Sequence, residues 1–155
     1  MADVESLSHS GICVHDLEEA ERFYIDVLGA EAHSSVNFKT EDTLKGRSVH
    51  KSIVLGDYLF ALALVGDFMP MPPDDQLRGA HGFRHAFTVS KARFDDTLDR
   101  LKKFNVAFEG PVDHPEAGPF GQSVYFKDPS GNFFEILWRR DEDVKYAETI
   151  ALNVD

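Results

Sequence analysis

The stretch SVYFKDPSGNFFEILW, residues 123–138, decides the fold of this chain. Two apolar runs flank the breaker DPSGN. Within it Pro129 fixes φ, Asp128 can accept hydrogen bonds from turn amides, and Gly131 can adopt a positive φ. The pattern predicts a β-hairpin whose loop is slightly longer than the tightest kind.

Glu135 lies in the middle of the second predicted strand, with apolar residues on both sides in sequence. Side chains alternate along a strand, so Glu135 shares a face with Phe133 and Leu137. A buried carboxylate must meet a cation, a metal or hydrogen-bond donors, or take up a proton. Two interpretations follow: a sheet with an apolar back and a polar front that also carries Ser123 and Tyr125, or an open edge strand with Glu135 in water.

Outside the hairpin, one order of elements occurs twice. Module one, residues 7–65, is predicted to contain a strand at 7–14, a helix capped by Asp16 and ended by Gly29, and strands at 31–40, 47–55 and 58–65, with a turn at 41–47. A linker, 66–82, carries three prolines and three glycines. Module two, residues 83–138, is predicted to contain a strand at 83–89, a helix capped by Ser90 and ended by Asn105, a strand at 106–110, a loop at 111–121 and the hairpin. A tail, 139–155, follows.

The repeated order of strand, helix and three strands predicts an α+β fold built from two βαβββ modules. Each module alone is too small to bury its sheet well. We therefore expect the modules to pair in a single domain spanning residues 1–155, either within one chain or by exchange between two chains.

Composition excludes several classes of function. A net charge of −11 disfavours nucleic acid and anionic membrane surfaces as partners. The longest apolar run, residues 58–65, is far too short to span a bilayer. The N-terminus lacks the basic and apolar regions of a signal peptide, and Cys13 has no second cysteine with which to pair, so we expect a cytoplasmic protein.

Three residues are candidates for a metal site: His9 on the first strand, His85 on the matching strand of module two, and Glu135. Two imidazoles and one carboxylate on adjacent strands can hold a divalent ion and leave positions open for water and substrate. His9 precedes Gly11 on the same face, where a small residue leaves room for a ligand. The alternative is that each histidine is a hydrogen-bonded packing residue.

Three segments resemble the vicinal oxygen chelate superfamily: HSGICV at His9–Val14, FYIDVLGAE at 23–31, and VYFKDPSGNFFEIL at 124–137. This superfamily includes glyoxalase I, methylmalonyl-CoA epimerase, extradiol dioxygenases, fosfomycin-resistance thiol transferases and bleomycin-binding proteins. The resemblance implies sheets that curl around a cavity and a homodimer. It also implies a divalent metal held by the first strands of both modules and the last strand of the second, which here means His9, the Arg84–His85 region and Glu135.

One position departs from this resemblance. Strands of the superfamily often have the pattern His-x-Ala-Phe-x-Val, and Ala86 and Phe87 fix the register here, so the ligand position falls on Arg84. His85 then lies on the opposite face unless a bulge returns it. If Arg84 faces the cavity, it could pair with Glu135 and replace the metal.

Extradiol dioxygenase chemistry on a small oxygenated aromatic is the predicted function, with Fe2+ or Mn2+ favoured and Zn2+ or Ni2+ as alternatives. Strand 58–65 has no carboxylate, which disfavours glyoxalase I and the epimerase. Loop 111–121 lacks the basic and hydroxyl residues expected around a phosphonate, which disfavours a fosfomycin-resistance thiol transferase. Tyr125 and His50 are candidate catalytic helpers. His114 is a third candidate, in a loop that could cover the site, but it is expected to be solvated. The alternatives are a metal-free protein that sequesters an aromatic drug or metabolite, and a glyoxalase-like lyase or isomerase.

Overall fold

The computed structural model describes residues 9–36, 50–66, 70 and 84–140. Its elements are β1 (His9–Val14), α1 (Leu17–Leu28), β2 (Glu31–Val36), β3 (His50–Leu55), β4 (Tyr58–Leu64), β5 (His85–Val89), α2 (Lys91–Lys103), β6 (Phe108–Asp113), β7 (Phe120–Lys127) and β8 (Phe133–Arg139). The predicted turn at 41–47, most of the linker 66–82 and the tail after residue 140 lie outside the described residues, as do the ends of three predicted strands at 7–8, 37–40 and 47–49. Neither helix is long and apolar enough to cross a membrane.

Two compact units make up the chain, namely residues 1–79 with 128–132, and residues 80–127 with 133–155. Within its described residues, each unit contains one helix and one four-stranded sheet, in the order strand, helix and three strands. The predicted α+β fold with two βαβββ modules is therefore confirmed.

The first unit has the sheet order β1-β4-β3-β2, with β1 and β4 parallel and the other pairs antiparallel. Helix α1 begins where predicted, because the Asp16 carboxylate accepts a hydrogen bond from the Glu19 amide at 2.9 Å. It ends at Gly29, whose φ of 72° is a left-handed conformation that suits glycine. Its buried face includes Tyr24, which is fully buried and stacks on Phe60.

The second unit has the sheet order β5-β8-β7-β6, with β5 and β8 parallel. Helix α2 is capped by Ser90, whose hydroxyl accepts from the Arg93 amide at 3.3 Å. Asn105, the predicted end of this helix, has a φ of 55°. Strand β8 is an interior strand of this sheet and Glu135 is only 4% exposed, which excludes the open-edge interpretation.

The predicted loop at 111–121 is too long at both ends, because only residues 114–119 lie outside strands. Strand β6 continues to Asp113 and β7 begins at Phe120. Pairing resumes past Pro111, after a register shift, with Val112 opposite Ser123. Because β6 is an edge strand, the missing amide hydrogen of Pro111 does not break an interior ladder.

Candidate functional site

An ion pair on one face of the second sheet is the centre of the candidate site. Ala86 is opposite Glu135 in the parallel pairing of β5 and β8. Arg84 precedes Ala86 by two residues and therefore lies on the same face as Glu135. The Arg84 Nε donates to Glu135 Oε2, and the two groups form a salt bridge. The carboxylate side chain is nearly buried, whereas the Arg84 side chain is about a third exposed (36%).

The other oxygen of the carboxylate is also occupied. The Ser123 hydroxyl donates to Glu135 Oε1 at 2.7 Å. The His114 Nε2 lies 2.7 Å from the same hydroxyl oxygen. A serine hydroxyl has one proton, which here goes to Glu135, so His114 has to carry its proton on Nε2 and donate it to Ser123. The three side chains form a continuous chain of hydrogen bonds, in which Ser123 is fully buried.

The pKa of Glu135 reflects opposing influences. Burial raises it, but the hydrogen bonds from Ser123 and Arg84, together with the Arg84 charge, outweigh burial and hold the pKa below its ordinary value. Tyr125 is opposite Glu135 in the register of β7 and β8. Burial, followed by the charge of Glu135, raises the pKa of the Tyr125 phenol despite the opposing hydrogen bond with Ser123, so this phenol stays neutral at physiological pH.

Arg140 fixes the segment that carries His114. Its Nη1 donates to the Pro115 carbonyl at 2.8 Å and to the Gly118 carbonyl at 2.7 Å, and its Nη2 donates to the His114 carbonyl at 3.2 Å. The His114 amide also donates to the Gly121 carbonyl at 2.9 Å. Arg140 therefore positions His114 by holding its backbone, without contacting the imidazole through any of these bonds.

His85 does not join Glu135. It pairs in register with Phe134, and its ring stacks on the Phe134 ring with centroids 5.6 Å apart. Phe134 and Glu135 are consecutive residues of β8 and face opposite sides of the sheet. No bulge interrupts the pairing of β5 with β8, so Arg84, and not His85, occupies the face of Glu135.

In the first unit, His9 and His50 lie close enough to interact. His9 is on the exposed face of β1, alternate to the buried Ile12 and Val14. Lys51 points to α1, where it forms a salt bridge with Glu18 at 2.8 Å, so its neighbour His50 faces away from α1. Burial lowers the pKa of His50, and the nearby His9 lowers it further.

The described side chains of the second unit do not fit a metal ion. Glu135 already has a guanidinium on one oxygen and a hydroxyl on the other. Within the described part of either unit, no three histidine, cysteine, aspartate or glutamate side chains come together as a set that could hold a metal. A metal at Glu135 would have to displace Arg84 from a nearly buried carboxylate.

Two members of this hydrogen-bonded cluster were not predicted as site residues. Ser123 was placed on the correct face but was given no role, and His114 was expected to be solvated. The extension of β6 to Asp113 explains both errors, because it brings His114 alongside Gly121 and within reach of Ser123. Apolar residues at alternate positions, Phe120, Val124 and Phe126 with Gln122 as the exception, are the sequence signal that could have extended the hairpin towards His114.

The fold and these residues define a protein of two βαβββ modules with a polar face on its second sheet. The sequence profile of the Glyoxalase/Bleomycin resistance protein/Dioxygenase superfamily matches residues 6–136, so the chain belongs to this superfamily, as its resemblance to the vicinal oxygen chelate proteins predicted.

The individual proteins that the chain resembles share only about a quarter or less of its residues. The chain is 26% identical over 137 residues to the metallothiol transferase FosB of Lysinibacillus sphaericus (strain C3-41). This match covers 86% of this chain and 82% of FosB. A fosfomycin resistance protein FosX of Listeria monocytogenes, in complex with Mn(II) and sulfate, has a TM-score of 0.66 at 19% identity and covers 96% of this chain and 98% of its own. TnmS3, an antibiotic binding protein from Streptomyces sp. CB03234, has a TM-score of 0.63 at 21% identity and covers 90% and 99%. These structural likenesses concern the fold.

Proposed function

We propose that this protein binds a small polar aromatic molecule without a metal ion, through the face of the second sheet that carries Arg84, Ser123, Tyr125 and Glu135. The observation that supports this proposal is the ion pair between Arg84 and Glu135. It neutralises the carboxylate that would otherwise need a metal, and it does so at the position where the superfamily pattern has a histidine.

The chemistry of this face suits a ligand with a ring and polar substituents. The Tyr125 ring stacks on Phe133 with centroids 6.2 Å apart, which gives a flat apolar surface beside the charged pair. Arg84 is partly exposed and its planar guanidinium can stack on an aromatic ring. The hydrogen bonds among His114, Ser123 and Glu135 hold these groups in place before the ligand arrives, which reduces the entropy lost on binding.

A metal-dependent enzyme is the second candidate, because FosB is named a metallothiol transferase and the FosX structure contains Mn(II). The narrower prediction of an extradiol dioxygenase has less support, since none of the three relatives described above is named as a dioxygenase. The predicted set of His9, His85 and Glu135, with Tyr125 and His50 as helpers, remains a proposal attached to this second candidate. The homodimer and the cytoplasmic location also remain predictions.

Metal analysis of tag-free protein, combined with ligand titrations, tests the proposal. We expect purified protein to contain far less than one divalent ion per chain. We expect the affinity for a small aromatic probe, with catechol as the first choice, to be the same with and without EDTA. We also expect no O2 uptake with catechol, because the carboxylate is already occupied by Arg84.

A stoichiometric metal ion that is lost in the His9→Ala variant would instead support the metal-dependent candidate. Asp95→Ala is a suitable control for both measurements. Asp95 is exposed on α2 and pairs with Lys91, away from the Glu135 face.

A further inference from the structure

The face of the second sheet opposite Glu135 carries a tryptophan that lies against an irregular part of β7. Trp138 is three residues from Glu135 on β8, so the two side chains lie on opposite faces. The register of β7 against β8 shifts between Phe120 and Ser123, as it does in a β-bulge. The Trp138 ring lies over Gly121 in this segment, where a Cβ atom on Gly121 would come within 1.9 Å of the ring. The ring can therefore lie here only because position 121 is glycine.

Arg140 joins this tryptophan to the loop that carries His114. The guanidinium carbon of Arg140 lies 6.0 Å from the centre of the Trp138 ring. The same guanidinium donates to the carbonyl groups of His114, Pro115 and Gly118. A guanidinium is planar and has five N–H donors, so it can bridge several carbonyl groups in one fixed arrangement. Arg140 therefore fixes the loop relative to the Trp138 ring.

The backbone of His114 is held on both sides of its Cα atom. Its carbonyl accepts from Arg140, and its amide donates to the Gly121 carbonyl at 2.9 Å. The imidazole donates to Ser123, and the Ser123 hydroxyl donates to Glu135, at 2.7 Å in each case. Because Ser123 is fully buried, bulk water cannot take the place of either bond. One loop residue and one buried hydroxyl thus link Arg140 to the carboxylate.

We propose that Arg140 is a positioning residue of the ligand site: by holding the loop, it keeps the His114 Nε2–H aimed at Ser123 and thereby sets the hydrogen bonding of Glu135. The inference rests on the proposed function for the ligand, and it adds that ligand affinity depends on a contact outside the ligand-binding face. Successive hydrogen bonds polarise one another, so loss of the His114 donor weakens the bond from Ser123 to Glu135. Burial raises the pKa of Glu135 and the bond from Ser123 opposes it, so this pKa should rise when Arg140 is replaced.

Nitrogen NMR of the histidine rings tests this proposal without any ligand. We expect the wild-type His114 ring to carry its proton on Nε2 at about pH 8, where histidine side chains are mostly neutral. The His114→Gln variant assigns the signal, because it removes this ring alone. In Arg140→Gln we expect a mixture of the two tautomers and, in a carboxyl titration followed by carbon NMR, a raised pKa of Glu135.

Lys91→Gln is the matched control. The Lys91 ammonium also lies over the Trp138 ring, at 5.9 Å, but its described hydrogen bonds go to Asp95 and not to the loop. This variant removes one positive charge beside the ring and leaves the loop held, so the tautomer and the Glu135 pKa should match the wild type. Arg140 is exposed, so Arg140→Gln should fold, which circular dichroism and the fluorescence of Trp138, the single tryptophan of the chain, both check.

Calorimetric titration with catechol tests the consequence for binding. Arg140→Gln should weaken catechol binding about threefold or more, whereas Lys91→Gln should leave the affinity unchanged. A wild type that does not bind catechol would count against the proposed function, and the NMR measurements alone would then decide the role of Arg140. A wild-type tautomer and a wild-type Glu135 pKa in Arg140→Gln would overturn the proposal. Unchanged catechol affinity beside an altered tautomer would overturn it as well, because Arg140 would then position His114 without affecting the ligand site.

Discussion

Replacement of Asp128 by alanine should lower the free energy of unfolding by about 3 kcal/mol. Asp128 lies in the predicted hairpin loop and is only 4% exposed. Its carboxylate accepts four hydrogen bonds: from the Tyr24 hydroxyl at 2.7 Å, the Ser130 amide at 3.0 Å, the Asn132 amide at 2.7 Å and the Asn132 side chain at 2.8 Å. Alanine would leave these donors buried or half-buried without their acceptor.

The location of this loop increases the expected loss of stability. Residues 128–132 belong to the first unit, where the Asn132 side chain donates to the Cys13 carbonyl at 2.9 Å and the Ser130 hydroxyl accepts from the His15 amide at 3.0 Å. Loss of the Asp128 carboxylate would therefore loosen the attachment of the loop to β1 and α1. Tyr24 would be affected most, because its hydroxyl is buried and its pKa is raised by burial and by the Asp128 charge.

Urea denaturation followed by circular dichroism measures this effect as a shift in midpoint. Tyr24→Phe removes one of the four donors and should cost only about 1 kcal/mol. Asp95→Ala, which removes an exposed aspartate paired with Lys91, should change stability by less than about 0.5 kcal/mol. A loss in Asp128→Ala no larger than that in Asp95→Ala would show that the loop is not held by this carboxylate.

The hairpin was predictable because its signals are local. The DPSGN breaker, the caps at Asp16 and Ser90, and the glycine after α1 each depend on residues close in sequence, and the structure has them where the sequence placed them. What the sequence did not reveal is that Asp128 also binds Tyr24, 104 positions away. A contact of that separation has no local pattern.

The sequence predicted which face of the second sheet carries the candidate site, but it did not decide which residues take part in it. Alternation along β8 placed Glu135 beside Ser123 and Tyr125, and the register of Ala86 identified Arg84 as an alternative partner. Which of two consecutive residues, Arg84 or His85, meets a carboxylate depends on the strand register. One bulge would exchange them, so only coordinates could decide between them.

Replacement of Arg84 by methionine should destabilise the protein by about 2 kcal/mol at neutral pH. Glu135 would then be a nearly buried carboxylate that keeps its hydroxyl donors but loses its cation. The expected loss is smaller than for a fully buried ion pair, because the Arg84 side chain is about a third exposed (36%) and solvent screens its charge.

The contribution of Glu135 to the pH dependence of stability should change sign in this variant. In the wild type the pKa of Glu135 is lowered, so its contribution is complete above its unfolded value of about 4.3 and is lost as the pH falls through the folded value. Without Arg84, the hydrogen bond from Ser123 is the main influence left to oppose burial, and the pKa of Glu135 should rise. Stability should then decrease as the pH rises from about 4.3 towards the new pKa. Urea titrations between about pH 3 and pH 8 measure both slopes.

A double-mutant cycle isolates the ion pair from the rest of the site. Glu135→Gln in the Arg84→Met background removes the unpaired charge, so the double variant should be more stable than Arg84→Met alone, with a coupling energy of about 1–2 kcal/mol. If the losses of stability in Arg84→Met and in Glu135→Gln alone add up to the loss in the double variant, Arg84 does not neutralise Glu135.

Arg84→Met, together with a new variant, Arg84→His, distinguishes a binding protein from a metal-dependent enzyme. If Arg84 takes the place of a metal, Arg84→His puts an imidazole two residues before Ala86 on the face of Glu135, and Mn(II) uptake should increase relative to the wild type. If the wild type uses a metal at Glu135, that metal must already displace Arg84. Wild-type protein would then contain the metal, and Arg84→Met would retain it without the loss of stability expected above. A stable Arg84→Met variant that holds one metal ion per chain would therefore refute the metal-free function, because the carboxylate would be neutralised by an ion and not by Arg84.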